Sequence, residues 1–261
     1  MGLYVDQKKN KILEIIYSEG KVSTRELSIK LKLSTETIRR YLENLENESK
    51  IRRIHGGAVK LNSYTSEEPI GTRISKMERE KRKIAKAASE LISDGEKIII
   101  DEGTTTLQLV NYLEGKKDLV IITSSFPVAI GIMSLINNKK IEAKLVFLGG
   151  EVQCDNKRTV GSECIDMVDK YLVDKAFISC EGVSLEHGIT AYDSLKSEVS
   201  RKYIKQATEI ILLTDYSKVG IRNFYKIEEL IKIDRIISNK SMPLEWKEKL
   251  KSWKIEWQEA N

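Results

Sequence analysis

Six consecutive residues, Asp101-Glu102-Gly103-Thr104-Thr105-Thr106, put two carboxylates, a glycine and three hydroxyls where an apolar run ends. A helix opened by Gly103 and the three threonines would present free backbone N–H groups and its positive dipole end, with Thr104, Thr105 and Thr106 adding donors. Phosphate is the guest that such a site favours. Lys218, in Asp215-Tyr216-Ser217-Lys218, can supply a countercharge. Asp101 and Glu181 would repel phosphate and instead suit the hydroxyls of an attached sugar. Ser124 and the pair Gly149-Gly150 would line the wall, glycine allowing close backbone approach. Each piece also has a plainer use: Gly-Thr-Thr as an N-cap, Gly-Gly as a turn, Lys218 as a surface charge.

A second group with chemical potential lies near the N-terminus. Ser34, Thr35 and Thr37 carry hydroxyls able to meet base edges or phosphates, Arg39 and Arg40 can grip guanine, and Asn44 lies on the same flank. The stretch Lys50–Lys60 contains four Lys/Arg and no acid, and alternates around Gly56-Gly57. It has the pattern of a β-hairpin wing that would bring Arg52, Arg53 and His55 to a nucleic-acid backbone or minor groove.

The elements that must position these groups follow from periodicity. Ile12, Ile15 and Ile16 give a first helix one apolar stripe, ended by Gly20. Ser23-Thr24-Arg25-Glu26 is a capping box that starts a short second helix carrying Leu27 and Leu31. A third helix begins at Ser34 and buries Ile38, Leu42 and Leu45, which turns Arg40 outward. Three helices and a hairpin make residues 1–60 a winged helix-turn-helix. Residues 61–75 have the composition of a linker, and a packed amphipathic helix is expected from about Lys76 to Ile92. From residue 96, strand-like runs alternate with helical patterns, so 76–261 reads as an α/β domain with a largely parallel sheet. The expected strands are 97–101, 119–123, 144–148, 175–179, 210–214 and 235–238. In such a sheet ligands bind outside the carboxyl ends of the strands, where the polar endings named above would converge.

Charge divides along the same line. The chain of 261 residues has a net charge of +5, and all of it falls in residues 1–60, which hold 13 Lys+Arg against 8 Asp+Glu. The remainder is balanced, 31 against 31. A basic head suits double-stranded DNA, because phosphate backbones respond to local basic surface. Cys154, Cys164 and Cys180 form no Cys-x-x-Cys pair, so no disulfide framework or thiolate metal site is indicated, and a reducing cytoplasmic setting is expected. The longest apolar runs fall far short of the ~20 residues of a membrane span, and no secretion signal is visible.

The string Ser34 to Leu42 followed by Arg53-Ile54-His55-Gly56-Gly57-Ala58 is similar to the signature of the DeoR/GlpR family of bacterial transcriptional repressors. Ile100-Asp101-Glu102-Gly103-Thr104-Thr105 resembles that family's Asp-x-Gly-Thr-Thr phosphate loop, and Asp215-Tyr216-Ser217-Lys218-Val219-Gly220 its Asp-x-Ser-Lys-x-Gly element. The resemblance runs over roughly residues 6–240. Departures are Tyr41, Ser124 and Ser179-Cys180, where the family commonly has Asp, Asn and Gly-Ala. The resemblance implies a ribose-5-phosphate-isomerase-like body, no catalytic residues, metal or cofactor, a phosphorylated sugar as effector, and a homodimer or homotetramer on operator DNA. Two alternatives stay open at this point. One is a sugar-phosphate isomerase or a relative of the acyl-CoA transferases that uses Asp101, Glu181 and Lys218 for proton transfer; the other is a repressor that has lost its effector.

Overall fold

A computed structural model describes residues 2–47, 50–54, 56–60 and 67–261, and the chain divides into two compact units at residues 63/64. The head contains α1 (Gly2–Glu19), β1 (Lys21–Ser23), α2 (Thr24–Leu31), α3 (Thr35–Asn47), β2 (Ile51–Ile54) and β3 (Gly57–Lys60). Its core is the expected apolar stripe: Ile12, Ile16, Leu27, Ile38, Leu42 and Leu45 are all buried. The capping box forms as read, with the Glu26 N–H donating to Ser23 Oγ at 3.1 Å and the Ser23 N–H to the Glu26 carboxylate at 2.8 Å. The hairpin gains a third strand, since β1 pairs antiparallel with β3 to give the order β1-β3-β2.

The body begins with α4 (Ile70–Ile74) and α5 (Glu78–Ser89). It continues through β4 (Lys97–Ile100), a 3-10 helix (Thr106–Tyr112), β5 (Leu119–Thr123), α6 (Phe126–Asn137), β6 (Ala143–Phe147), β7 (Glu151–Gln153) and β8 (Arg158–Val160). The rest comprises α7 (Ser162–Val168), β9 (Val173–Ser179), β10 (Gly182–Ser184), β11 (Gly188–Ala191), α8 (Ser194–Gln206), β12 (Ala207–Leu213), β13 (Tyr225–Glu228), β14 (Arg235–Ser238), α9 (Lys247–Trp253) and β15 (Glu256–Glu259). Seven strands form one sheet in the order β15-β14-β12-β9-β4-β5-β6, and every pairing in it is parallel.

Strand residues alternate between two apolar layers, as the two-residue period of a strand requires. Ile98, Ile100, Ile121, Phe177 and Leu213 face α5, the 3-10 helix and α6, while Ile99, Ile122, Ala176, Ile178 and Leu212 face α7 and α8. The sheet is therefore covered on both faces, as an all-parallel sheet must be. β4 and β9 are neighbours at the switch point, where the chain first winds from β4 toward β5 and β6 and later from β9 toward β12. A small antiparallel sheet, β10-β11-β13, and the hairpin β7-β8 lie outside the main sheet.

The connector differs from its sequence reading. Residues 67–75 are part of the body: Ile70 is buried and its N–H donates to the Asp155 carbonyl at 3.1 Å. Pro69, Gly71 and the hydroxyls gave this stretch the composition of a spacer, but of its two isoleucines Ile70 is buried and Ile74 half-buried. Residues 61–66 lie outside the described residues.

Candidate functional site

In the head, the candidate contact residues gather at the start of α3. The Thr37 N–H donates to Ser34 Oγ at 3.1 Å and the two hydroxyls are 2.8 Å apart, so both serve the helix start as well as any ligand. Arg39 and Arg40 are exposed and Asn44 is half-buried. Arg39 makes a surface pair with Glu36 at 3.4 Å, and the Arg40 guanidinium sits 6.0 Å from the Tyr41 ring. Tyr41 itself is buried in the head core, which explains how the position tolerates an aromatic residue in place of a carboxylate. A groove of ≈ 330 Å³ brings Thr35, Arg39 and Arg53 together with Thr24 and Arg25. Arg25 is the contact candidate that sequence reasoning missed; it lay unremarked inside the capping box. His55 and the Arg52 side chain lie outside what the structure describes.

In the body, the ends of β4 and β9 meet in a site richer in charge than anticipated. Asp101 is fully buried at the end of β4, and its carboxylate accepts from the Ser179 N–H at 2.9 Å and the Ser179 hydroxyl at 2.7 Å. Lys196, at the start of α8, puts its ammonium 3.9 Å from Asp101, 3.8 Å from Glu102 and 3.8 Å from Glu181. Arg158, on β8, approaches Glu102 at 3.4 Å, Asp193 at 3.6 Å and Glu67 at 2.7 Å. Arg73 reaches Glu67 at 2.6 Å and Glu181 at 4.0 Å. Five carboxylates thus face three cations in a largely buried cluster. Lys196, Arg158, Arg73, Glu67 and Asp193 were not foreseen. The lysine and Arg158 sit in polar sequence with no motif around them, so nothing local announces their burial.

The charges tune one another. Burial would raise the Asp101 carboxyl, but Lys196 and the Ser179 hydrogen bonds outweigh it and hold it down at about 2. Burial and the adjacent Asp101 push Glu102 well above the usual carboxylate range, so Asp101 is the ionised partner and Glu102 takes up the proton. For Lys196, burial opposes the charged form, yet Glu181, Asp101 and Glu102 prevail and raise its pKa.

Several expectations need revision. The turn after Gly103 leads into a seven-residue 3-10 helix, too short for a substantial dipole, and Thr106 Oγ1 donates inward to the Asp101 and Gly103 carbonyls, both at 2.8 Å. Gly103 is required because an added Cβ would fall 2.1 Å from Ser179 Oγ. Ser179, at a departure from the family pattern, therefore occupies Asp101 from within the protein. The Gly149-Gly150 pair serves local packing: the Gly149 N–H donates to Met167 Sδ at 3.2 Å, and a Cβ on Gly150 would meet the Val160 carbonyl at 2.5 Å. Lys218 pairs with Asp215 at 3.8 Å, whereas the cation that joins Asp101 to Glu181 is Lys196. Thr104, Thr105 and Ser124 are buried, and the Thr105 hydroxyl has no hydrogen-bond partner.

A winged helix-turn-helix with a basic groove, followed by an α/β body with a polar cluster at its switch point, defines a two-part transcriptional regulator. Residues 8–64 match the DeoR-like helix-turn-helix domain and residues 76–240 the DeoR C terminal sensor domain. The chain belongs to the DeoR family of transcriptional regulators. It is similar to the transcriptional repressor GlcR of Bacillus subtilis (strain 168), with 32% identity over 91% of this chain and 90% of that protein. It is also similar to the transcriptional regulator IolR of the same organism, with 34% identity over 79% of this chain and 80% of that one. Among solved structures, ribose 5-phosphate isomerase A from Methanocaldococcus jannaschii aligns with a TM-score of 0.39 and 22% identity over 55% of each chain. The protein is a regulator and not an isomerase, which closes the enzymatic alternative.

Proposed function

We propose that the chain represses a carbohydrate-utilisation operon by binding its operator as a homodimer or homotetramer in the cytoplasm, and that a phosphorylated sugar held by the body releases it. Support for the sensing half comes from one observation above all: at the end of β4, in the loop that carries Asp101 and Glu102 of the charged cluster, Thr105 holds a buried hydroxyl without a hydrogen-bond partner. Relatives named as the transcriptional repressor GlcR and, provisionally, as an aga operon transcriptional repressor support the operon-repressing half, and the match of residues 76–240 to a sensor domain supports the sensing half. The effector works by difference, because it must bind the DNA-incompetent arrangement more tightly; each tenfold preference contributes about 1.4 kcal/mol to release.

The test is retention of duplex DNA from upstream of the chain's own operon, followed by challenge with a panel of phosphorylated sugars. Specific, salt-sensitive retention is expected, with release by one member of the panel. Thr105→Glu should abolish release while leaving retention intact, since a longer, charged side chain at this buried position excludes the effector. Absence of specific retention would overturn the repressor reading; retention that no sugar relieves would overturn the effector half.

A further inference from the structure

Glu67 is the first residue described after the wing, and its carboxylate lies inside the polar cluster. One oxygen is 2.6 Å from Arg73 Nη2 and the other 2.7 Å from Arg158 Nη2; the Glu67 side chain is 3% exposed and that of Arg158 fully buried. A carboxylate spanning two guanidiniums, one oxygen to each, is the pairing that an oxyanion ligand would make. Both Glu67 oxygens and Arg158 Nη2 are buried, so the carboxylate is held by these guanidiniums and not by solvent.

The receiving cations do not depend on Glu67 for their placement. Arg158 Nε donates to Gln153 Oε1 at 2.7 Å, and Arg73 Nη2 donates to Asn156 Oδ1 at 3.0 Å. The Arg73 backbone is fixed separately, its carbonyl accepting from the buried Lys81 ammonium at 2.7 Å. Burial first, and the nearby Glu181 second, push the Glu67 carboxyl above its ordinary range, so its charge is held against resistance. In addition, Asp101, Thr105, Ser124 and Lys196 are all buried, and a sugar-sized molecule reaches them only if some covering segment gives way. The segment that carries Glu67 is the one continuous in sequence with the wing.

We propose that Glu67 is an intramolecular stand-in for the effector's oxyanion, and that Arg73 and Arg158 receive a phosphoryl or carboxylate group when Glu67 withdraws. The proposal rests on the effector reading given above and adds which cations take the anion and which residue must leave. Occupancy of the site then frees Glu67 and loosens the described stretch 67–75 that it anchors.

The experiment uses the full chain and two probes, inorganic phosphate and acetate, titrated by calorimetry into the wild type, Glu67→Gln, Glu67→Asp and Arg158→Gln. Glu67→Gln should bind phosphate, acetate or both at least tenfold more tightly than the wild type, and the anion that responds identifies the group. Glu67→Asp keeps the competing charge and should stay within a fewfold of the wild type, while Arg158→Gln should lose binding. Hydrogen exchange at the Ile70 amide should accelerate in the wild type at saturating anion. If the wild type binds an anion but Glu67→Gln binds it no more tightly, or Ile70 exchange is unmoved, the stand-in fails and the effector reading survives. If folded wild type and folded Glu67→Gln bind neither anion, and no phosphorylated sugar relieves DNA retention, both fail together.

Discussion

Lys196 shows what a single residue contributes to the body. Its ammonium, 1% exposed, serves three carboxylates and donates to the Ser179 carbonyl at 3.3 Å. Removing one member of such a group leaves uncompensated buried charge, which typically costs about 3–5 kcal/mol. Lys196→Met should therefore lower the body's stability to urea by about that much, and a loss under about 1 kcal/mol would mean that the carboxylates simply take up protons. The same cluster sets a pH dependence. Asp101, held down at about 2 against an ordinary 3.8, contributes stability that is present above pH 4 and lost as pH falls toward 2. Glu102 is raised, so its contribution is complete below about pH 4.5 and fades as pH rises through its folded-state value. Glu67 acts in the same direction. Wild-type stability should accordingly decline as pH rises above about 4.5, and Glu102→Gln should flatten that decline without removing it; parallel profiles would contradict the assignment. In the head, Arg40 points outward from α3, and Arg40→Ala should weaken specific operator binding by about 1–3 kcal/mol in a competition assay against unrelated DNA.

At the scale of elements, short-range chemistry decides where helices begin. The reciprocal bonds between Ser23 and Glu26 satisfy two backbone donors at the start of α2, and a lost cap costs about 0.5–2 kcal/mol. Ser23→Ala should raise hydrogen exchange across Leu27–Leu31 by about tenfold, and Ser23→Asp should restore protection; unchanged exchange after Ser23→Ala would show that packing of Leu27 and Leu31 alone holds the helix. This box was legible in the sequence, as were α3 and six strands of the main sheet, because each carries a strong local pattern of capping residues or apolar period. β15 was not, since Glu256-Trp257-Gln258-Glu259 has no apolar run and gains its order by pairing with β14. β1 spans three residues and exists only because β3 lies beside it. The candidate site was legible in part for the same reason. Asp101, Thr105 and Glu181 follow apolar strands and were found by position, whereas Glu67, Arg73, Arg158 and Lys196 become a site through tertiary burial, which leaves no mark on the residues nearby.

For the whole molecule, charge separates two tasks. The full +5 resides in residues 1–60, and the balanced body uses its buried cations internally, against its own carboxylates. DNA affinity should consequently respond to salt through the head alone, because the slope of log K against log salt counts the phosphates neutralised, at about 0.9 per contact. Arg53 and Arg25 line the same groove as Arg39. Changing Arg53 to Gln should lower the slope by about 1 and weaken binding to all sequences alike, unlike Arg40→Ala, which should weaken the operator selectively. Replacing the exposed body lysines Lys170 and Lys247 by Gln should leave the slope unchanged. If those two substitutions reduce it as much as Arg53→Gln does, the body itself contacts the DNA backbone, and the division of charge between head and body no longer describes how the protein holds its operator.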